Sequence, residues 1–292
     1  MAKARALDRR RRSIRSIRKI TRTMELISTA QFRRAMDRAV AATAYTRRIT
    51  KLVGHLARSG LEVTHPLLQP RPEAKRATLL VLTANRGLCG GYNASVLRLA
   101  QARYRELRDT AGELRLEVAG KRGISAFRFR KIQPNEGFTH FNDKPSFAEV
   151  DVLASRYLAD FAAGALDRLD VAYTKYESAS RQYAAVETLL PLAGLEGTDE
   201  ELLAGQTQYE FLPSAESILD EVVPTRFKVK LFKCFLDAAV SEQIARMVAM
   251  KAATENADSM ISHLSMAYNR ARQGQITGEL LEIIEGAEAL NE

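Results

Sequence analysis

The chain has 292 residues, 46% of them hydrophobic and 27% charged, with a net charge of +9, which is ordinary for a chain that buries a core in one large domain or two small ones. No run of about 18 apolar residues occurs, and no apolar block follows Met1-Ala2-Lys3-Ala4-Arg5, so neither a transmembrane helix nor a secretory leader is expected. Charge is uneven: 17 basic against 3 acidic residues precede Gly60, which reads as a solvated or partner-facing helix surface or as a nucleic-acid footprint.

From Lys3 to about Gly60 there is no Gly or Pro before Gly54. Alternate steps of three and four give Leu7, Arg10, Ile14, Ile17, Thr21, Met24, Ser28, Gln31, Ala35, Arg38, Ala42, Tyr45, Ile49, Leu52 and Leu56, a heptad seam with a polar middle. Too many polar core positions for register alone suggest that the middle of this helix also faces a second partner. Three prolines in His65–Pro72 end it and make a linker. The period then changes. Ala77–Thr83 is a short apolar run expected as a strand buried on both faces, and Asn85–Asn93 is a glycine-rich turn into a helix from Ala94 to about Thr110. A strand at Leu114–Ala119, a helical stretch at Ile124–Phe129, a loop with Pro134, Gly137 and Pro145, and a helix at Phe147–Ala165 follow. Leu169–Ser178 and Gln182–Pro191 read as a hairpin. Alternating strands and helices predict a Rossmann-like α/β domain with a mainly parallel sheet. Gly194–Gln208 is expected as a surface loop and Tyr209–Pro213 as a short extended piece. Ser214 is placed to cap the closing helix, with Pro224 kinking it or marking a new start.

Thr225 to Gln273 contains neither Gly nor Pro, enough for a helix on the order of 75 Å long. Two long terminal helices with a domain inserted between them are expected to form an antiparallel coiled coil, paired so that facing positions sum to about 284. On the C-terminal helix the seam is expected at Ala238, Ala245, Val248, Ala252, Met260, Leu264, Ala267 and Ala271, small residues that let helix axes approach. The resulting division is 1–60 for the first helix, 61–76 for the linker, 77–213 for the α/β domain and 214–292 for the second helix.

Chemistry-bearing patterns are sparse. The Gly87 turn has neither the Gly-Lys-Ser/Thr of a P-loop nor G-x-G-x-x-G spacing, so a structural turn is favoured over an anion site. His55, His65, His140 and His263 share no metal-ligand spacing, and Cys89 and Cys234 suggest neither a disulfide nor a metal. No catalytic, cofactor or metal residues are assigned.

Three blocks taken together resemble the gamma subunit of F-type ATP synthases of the bacterial type: Ile20–Leu26, Asn85–Asn93, and Arg246–Asn256 with its continuation Tyr268–Thr277 and Glu279–Glu288. The resemblance implies a non-catalytic rotor shaft coupling ion flow through a membrane c-subunit ring to ATP synthesis or hydrolysis on beta subunits. The implied partners are the alpha and beta subunits, the epsilon subunit and the c ring, with no cofactor and no nucleic acid. The implied place is peripheral, on the cytoplasmic face of the bacterial inner membrane. It also implies torque-coupling roles for Met24, Arg246, Arg272, Gln273 and Thr277. The sequence departs from the usual pattern at Asn85, where an Asp is common, at Gln31-Phe32, and at Gly274 and Gly278, which are expected to loosen the last helix. The alternative is a basic coiled-coil protein that binds nucleic acid.

Overall fold

The computed structural model describes residues 2–58, 66–69, 71, 75–141, 144–192 and 215–288, and in the two terminal helices the side chains of 4–40 and 220–286. The expected loop Gly194–Gln208, the piece Tyr209–Pro213, the Ser214 cap and the seam positions from Ala42 to Leu56 lie outside what is described. The chain order is α1 (Ala2–Arg58), β1 (Arg76–Leu82), α2 (Tyr92–Thr110), β2 (Glu113–Ala119), α3 (Lys121–Phe129), β3 (Glu136–Phe138), α4 (Phe147–Ala162), β4 (Arg168–Ser178), β5 (Arg181–Leu190) and α5 (Ala215–Glu288). Two compact units result: residues 1–29 with 246–292, and residues 30–245.

In the larger unit the sheet order is β3-β2-β1-β4-β5. The three pairings β1–β2, β1–β4 and β2–β3 are parallel and β4–β5 is an antiparallel hairpin, matching the expected mainly parallel sheet. Alternation along the strands supplies two cores. Leu80, Leu82, Leu169, Val171 and Tyr173 pack against α4 and the first turns of α5 through Val150, Leu153, Phe161, Phe227 and Leu231. Leu79, Val81, Leu116, Val118 and Ala172 pack against α2 and α3 through Val96, Leu97, Ala100 and Phe127. Strands sealed on both faces need apolar residues at every position, which is why β1 reads as a continuous run. The three-residue β3 was expected as loop. It is too short to show a period, and it survives as an edge strand because Glu117 and Ala119 stand opposite Glu136 and Phe138.

Pro224 lies inside α5 and does not end it. Val223 and Phe227 on either side are fully buried, so packing offsets the lost backbone hydrogen bond. Gly274 and Gly278 also lie within the helix, which runs on to Glu288.

In the smaller unit α1 and α5 are antiparallel, but in a different register from the expected sum of 284. Facing positions sum to 275 where Thr254 donates to Thr21 at 2.8 Å, 276 at the Arg18–Asp258 ion pair, and 279 where Arg11 stacks over Tyr268 at 4.8 Å. The seam face of α5 differs as well. Val248, Ala252, Met260 and Ala267 are exposed, while Met250, Thr254 and Ala257 are buried and Ile261, Leu264, Tyr268 and Ala271 are partly covered. On α1 the expected seam holds at Leu7, Ile14, Thr21, Met24 and Ser28, but Arg10 and Ile17 are exposed and Arg11 takes an inward place. The physical reason is composition. Small residues occur on several faces of α5, so heptad stepping has more than one solution, and the paired hydroxyls and charges select among them.

Candidate functional site

Two places could carry chemistry or binding: the glycine-rich turn after β1, and the helix pair. The segment leading into the turn closes the neighbouring start of α3. Gly120 adopts φ +101°, and a Cβ there would lie 2.1 Å from the Thr83 carbonyl oxygen, so only glycine fits. The first N–H groups of α3 are then all taken: Lys121 donates to Asn85 Oδ1 at 3.1 Å, Arg122 to the Ala84 carbonyl at 3.1 Å, and Gly123 to Thr83 Oγ1 at 3.0 Å. These three donors at the β2–α3 junction, beside the turn, are therefore not open to a phosphate, which a helix start would otherwise attract. The crevice at the carboxyl ends of β1 and β2 is filled from the other side by α5. Tyr92 donates its hydroxyl to the Ala238 carbonyl at 3.2 Å, and Phe235, Ala238, Ala239 and Glu242 line the remaining space with Leu82, Thr83 and Phe141. A carboxylate at this position disfavours an anion further.

The same contacts account for Asn85. Its amide nitrogen donates to the carbonyls of Thr139 and Phe141 at 3.3 and 2.8 Å. A carboxylate could not donate to either oxygen, so Asn fits this site where Asp would face two acceptors. Among the described residues no group of His, Cys, Asp and Glu is arranged to hold a metal ion.

The five residues proposed for torque coupling all lie in the helix pair. Met24 is half-buried, one turn from Thr21 and one from Ser28, which are themselves buried. Arg246 is 5% exposed, so it sits inside the folded chain. Arg272, Gln273 and Thr277 are exposed. The register of 275 to 279 puts Met24 opposite residues 251 to 255 and therefore near Arg246. Arg272 is 26 residues farther along α5, about 39 Å at 1.5 Å per residue. The structure thus makes two separate groups, Met24 with Arg246 and Arg272 with Gln273 and Thr277.

Sequence reasoning missed the surface that surrounds them. Ile17, Ile20, Leu26 and Ile27 on α1 are exposed, as are Val248, Met260, Met266 and, toward the end of α5, Ile276, Leu280, Leu281, Ile283 and Ile284. Ile276, Leu280, Ile283 and Ile284 recur at i, i+4, i+7 and i+8, one face of a helix. By the observed register Ala2 stands opposite residue 277, so Gly278–Glu288 continue past the start of α1. The signal that could have found this surface was present: Ile17 and Ile20, or Ile276 and Ile283, are more apolar residues than a two-helix seam requires.

Comparison with known proteins addresses the whole chain. The family model described as ATP synthase matches residues 3–290. The ATP synthase gamma chain of Rhodopirellula baltica is 59% identical over 294 residues, covering 99% of each chain, and that of Leptospira biflexa is 37% identical over 291 residues, covering all of both. Among solved structures, a chain of the Euglena gracilis mitochondrial ATP synthase, determined as OSCP/F1/c-ring in rotational state 3, superposes with a TM-score of 0.64. It covers 99% of this chain and 95% of that one at 19% identity, a likeness of fold. With a family model spanning the chain almost end to end and a gamma chain 59% identical along its full length, the chain belongs to the ATP synthase gamma-chain family.

Proposed function

We propose that the chain is the central rotor shaft of an F-type ATP synthase. It is not catalytic by itself, and it couples ion flow through a c-subunit ring to ATP synthesis or hydrolysis on beta subunits. The observation that carries this reading is full-length identity of 59% to a gamma chain. The physical chemistry agrees with it. Among the described residues of 1–29 and 246–292, twelve large apolar side chains are exposed, far more than a free helix pair leaves in water, and a ring of alpha and beta subunits would cover them. Driving a two-state site from 1:99 to 99:1 takes about 5.5 kcal/mol of differential contact energy. An uneven helix pair that shows a different face to each of three identical neighbours can supply such a difference.

In this reading Met24 and Arg246 act at one level, and Arg272, Gln273 and Thr277 at a second. Residues 77–213 meet the epsilon subunit and the c ring. The division into 1–60, 61–76, 77–213 and 214–292 is the working domain scheme. The chain is a peripheral component of a membrane-associated complex, and among the described residues no helix is long and apolar enough to cross a membrane. The side proposed is the cytoplasmic face of a bacterial inner membrane. No observation favours the nucleic-acid alternative.

Reconstitution with alpha and beta subunits tests the reading: the chain should join their complex and raise its steady ATPase rate, and failure on both counts rejects it. Met24→Lys is expected to impair coupling of ATP turnover to ion transport while assembly persists. Lost assembly would instead assign Met24 to the seam alone.

A further inference from the structure

The two helix layers on the sheet of residues 30–245 differ in charge. On one face α4 and residues 220–245 of α5 carry seven acidic and five basic side chains. On the other face α2 and α3, with the two residues after α3, carry nine cationic side chains and two acidic ones. Both acids are engaged within the layer, Glu106 with Arg103 at 2.7 Å and Asp109 with Arg108 at 3.3 Å, and Arg103 also meets the buried Asp170 at 2.7 Å. Seven cations, from Arg98 on α2 to Lys131 after α3, remain exposed without a carboxylate partner among the described residues. Their mutual repulsion destabilises the isolated chain, so the cluster is costly unless an anionic surface meets it.

A second feature lies within the cluster. In Phe127-Arg128-Phe129-Arg130-Lys131 the first ring points into the core and is fully buried, while Phe129 is 88% exposed. Phe129 has the largest fractional exposure among the exposed large apolar side chains, and cations flank it on both sides. Small anions would neutralise the arginines but leave the ring in water. Single-stranded nucleic acid stacks on rows of aromatics, and this face offers one exposed ring: Tyr104, the other aromatic of α2 facing this region, is packed against the core. An anionic bilayer satisfies both features at once, with phosphates for the guanidinium and ammonium groups and an acyl boundary for the ring.

We propose that the outer face of α2 and α3 docks on an anionic lipid surface, with Phe129 inserted beneath the headgroups. The choice of a lipid occupant rests on the proposed function, which places the α/β unit beside a membrane. The geometry of the face does not depend on that choice.

The chain contains no tryptophan, so Phe129→Trp in the full-length chain gives a single fluorescent reporter at the inserted position. Titration with phosphatidylcholine vesicles containing phosphatidylglycerol should shift its emission to the blue, and high salt should reverse the shift. Pure phosphatidylcholine vesicles should leave it unchanged. Adding Arg128→Glu, Arg130→Glu and Lys131→Glu should weaken the response on the order of 100-fold. Val152→Trp, on α4 and 74% exposed, should stay unshifted. A chain that sediments with vesicles while the tryptophan at 129 remains unshifted binds through another surface, and the proposal fails. Equal shifts at 129 and 152 also overturn it, as does a shift at 129 produced by oligonucleotide or polyglutamate but not by vesicles. Assembly with alpha and beta subunits, measured on the same variants, reports separately on the rotor reading.

Discussion

The sheet of residues 30–245 and the helix pair of residues 1–29 and 246–292 bury their residues in opposite ways. Leu79, Leu80 and Val81 of β1 are sealed on both faces, and the fully buried Phe127, Tyr157, Phe161 and Phe227 fill the two layers around them. Along the described part of the helix pair, the buried residues are Ala4, Thr21, Ser28, Arg246, Met250, Thr254 and Ala257. Four of these seven are polar or charged, and none is a fully buried large apolar side chain. The first region holds itself together by apolar area removed from water, at about 25 cal/mol per Å². The second makes a narrow seam and leaves its large apolar residues outward. A thin polar seam with an apolar exterior is the pattern of an element whose remaining burial comes from other subunits.

Substitutions that remove equivalent volume or bonding from the two regions probe this contrast. The largest effect is expected from Phe227→Ala, which empties a fully buried site between α5 and the sheet. It should destabilise the isolated chain by about 3–5 kcal/mol in urea denaturation, and a cost under about 1 kcal/mol would contradict the assignment of stability to the sheet unit. Next is Asp167, just before β4, which accepts from Arg71 at 2.8 Å and from the Arg76 backbone at 2.9 Å. Burial acts to raise its pKa, but the hydrogen bonds from Arg71 and Arg76 prevail and hold it below the usual carboxylate value. A carboxyl group with a depressed folded pKa stabilises above its unfolded pKa of about 4, and that contribution is lost as pH falls through the folded value. Asp167→Asn should therefore cost about 2 kcal/mol at neutral pH and flatten the acid limb of stability measured between neutral and strongly acid pH.

Smaller effects are expected in the helix pair. Thr21→Val or Thr254→Val alone should cost about 1 kcal/mol or less through loss of the hydroxyl–hydroxyl bond, the remaining hydroxyl keeping its carbonyl acceptor at Met250 or Arg18, while the double substitution should come close to neutral. A double-mutant cycle in chemical denaturation measures this coupling, and full additivity would show that the hydroxyl pair does not set the seam. The smallest change is Gly274→Ala, where a Cβ would meet nothing within 4 Å. It should stabilise the helix by up to about 1 kcal/mol, seen as slower amide exchange around residue 274, without altering the seam.

Much of the fold was legible because local rules decide it. The continuous run Thr78–Leu82 can only be a strand buried twice, and Ser146 with Glu149 forms a capping box that starts α4. The 74 residues of α5 were legible only in part, since Pro224 reads as a break until Val223 and Phe227 are seen to be buried. Site residues were legible through resemblance to a family alone. Nothing in the spacing of Met24 or Arg246 distinguishes them from ordinary helix positions, and burial of Arg246 became visible only once α5 was folded.

The amino-acid order by itself determined the element sequence apart from β3, the parallel sheet with its closing hairpin and the antiparallel pairing of the terminal helices, because each follows from contacts between near neighbours or from a hydrophobic period. Tertiary structure decided which face of α5 pairs with α1 and in what register, that the segment after β1 closes the start of α3, and that the cations of α2 and α3 share one surface with Phe129. These outcomes depend on which distant side chains meet. Thr21 selects Thr254, and Asn85, Ala84 and Thr83 consume the N–H groups of α3, choices that no single stretch of the chain contains.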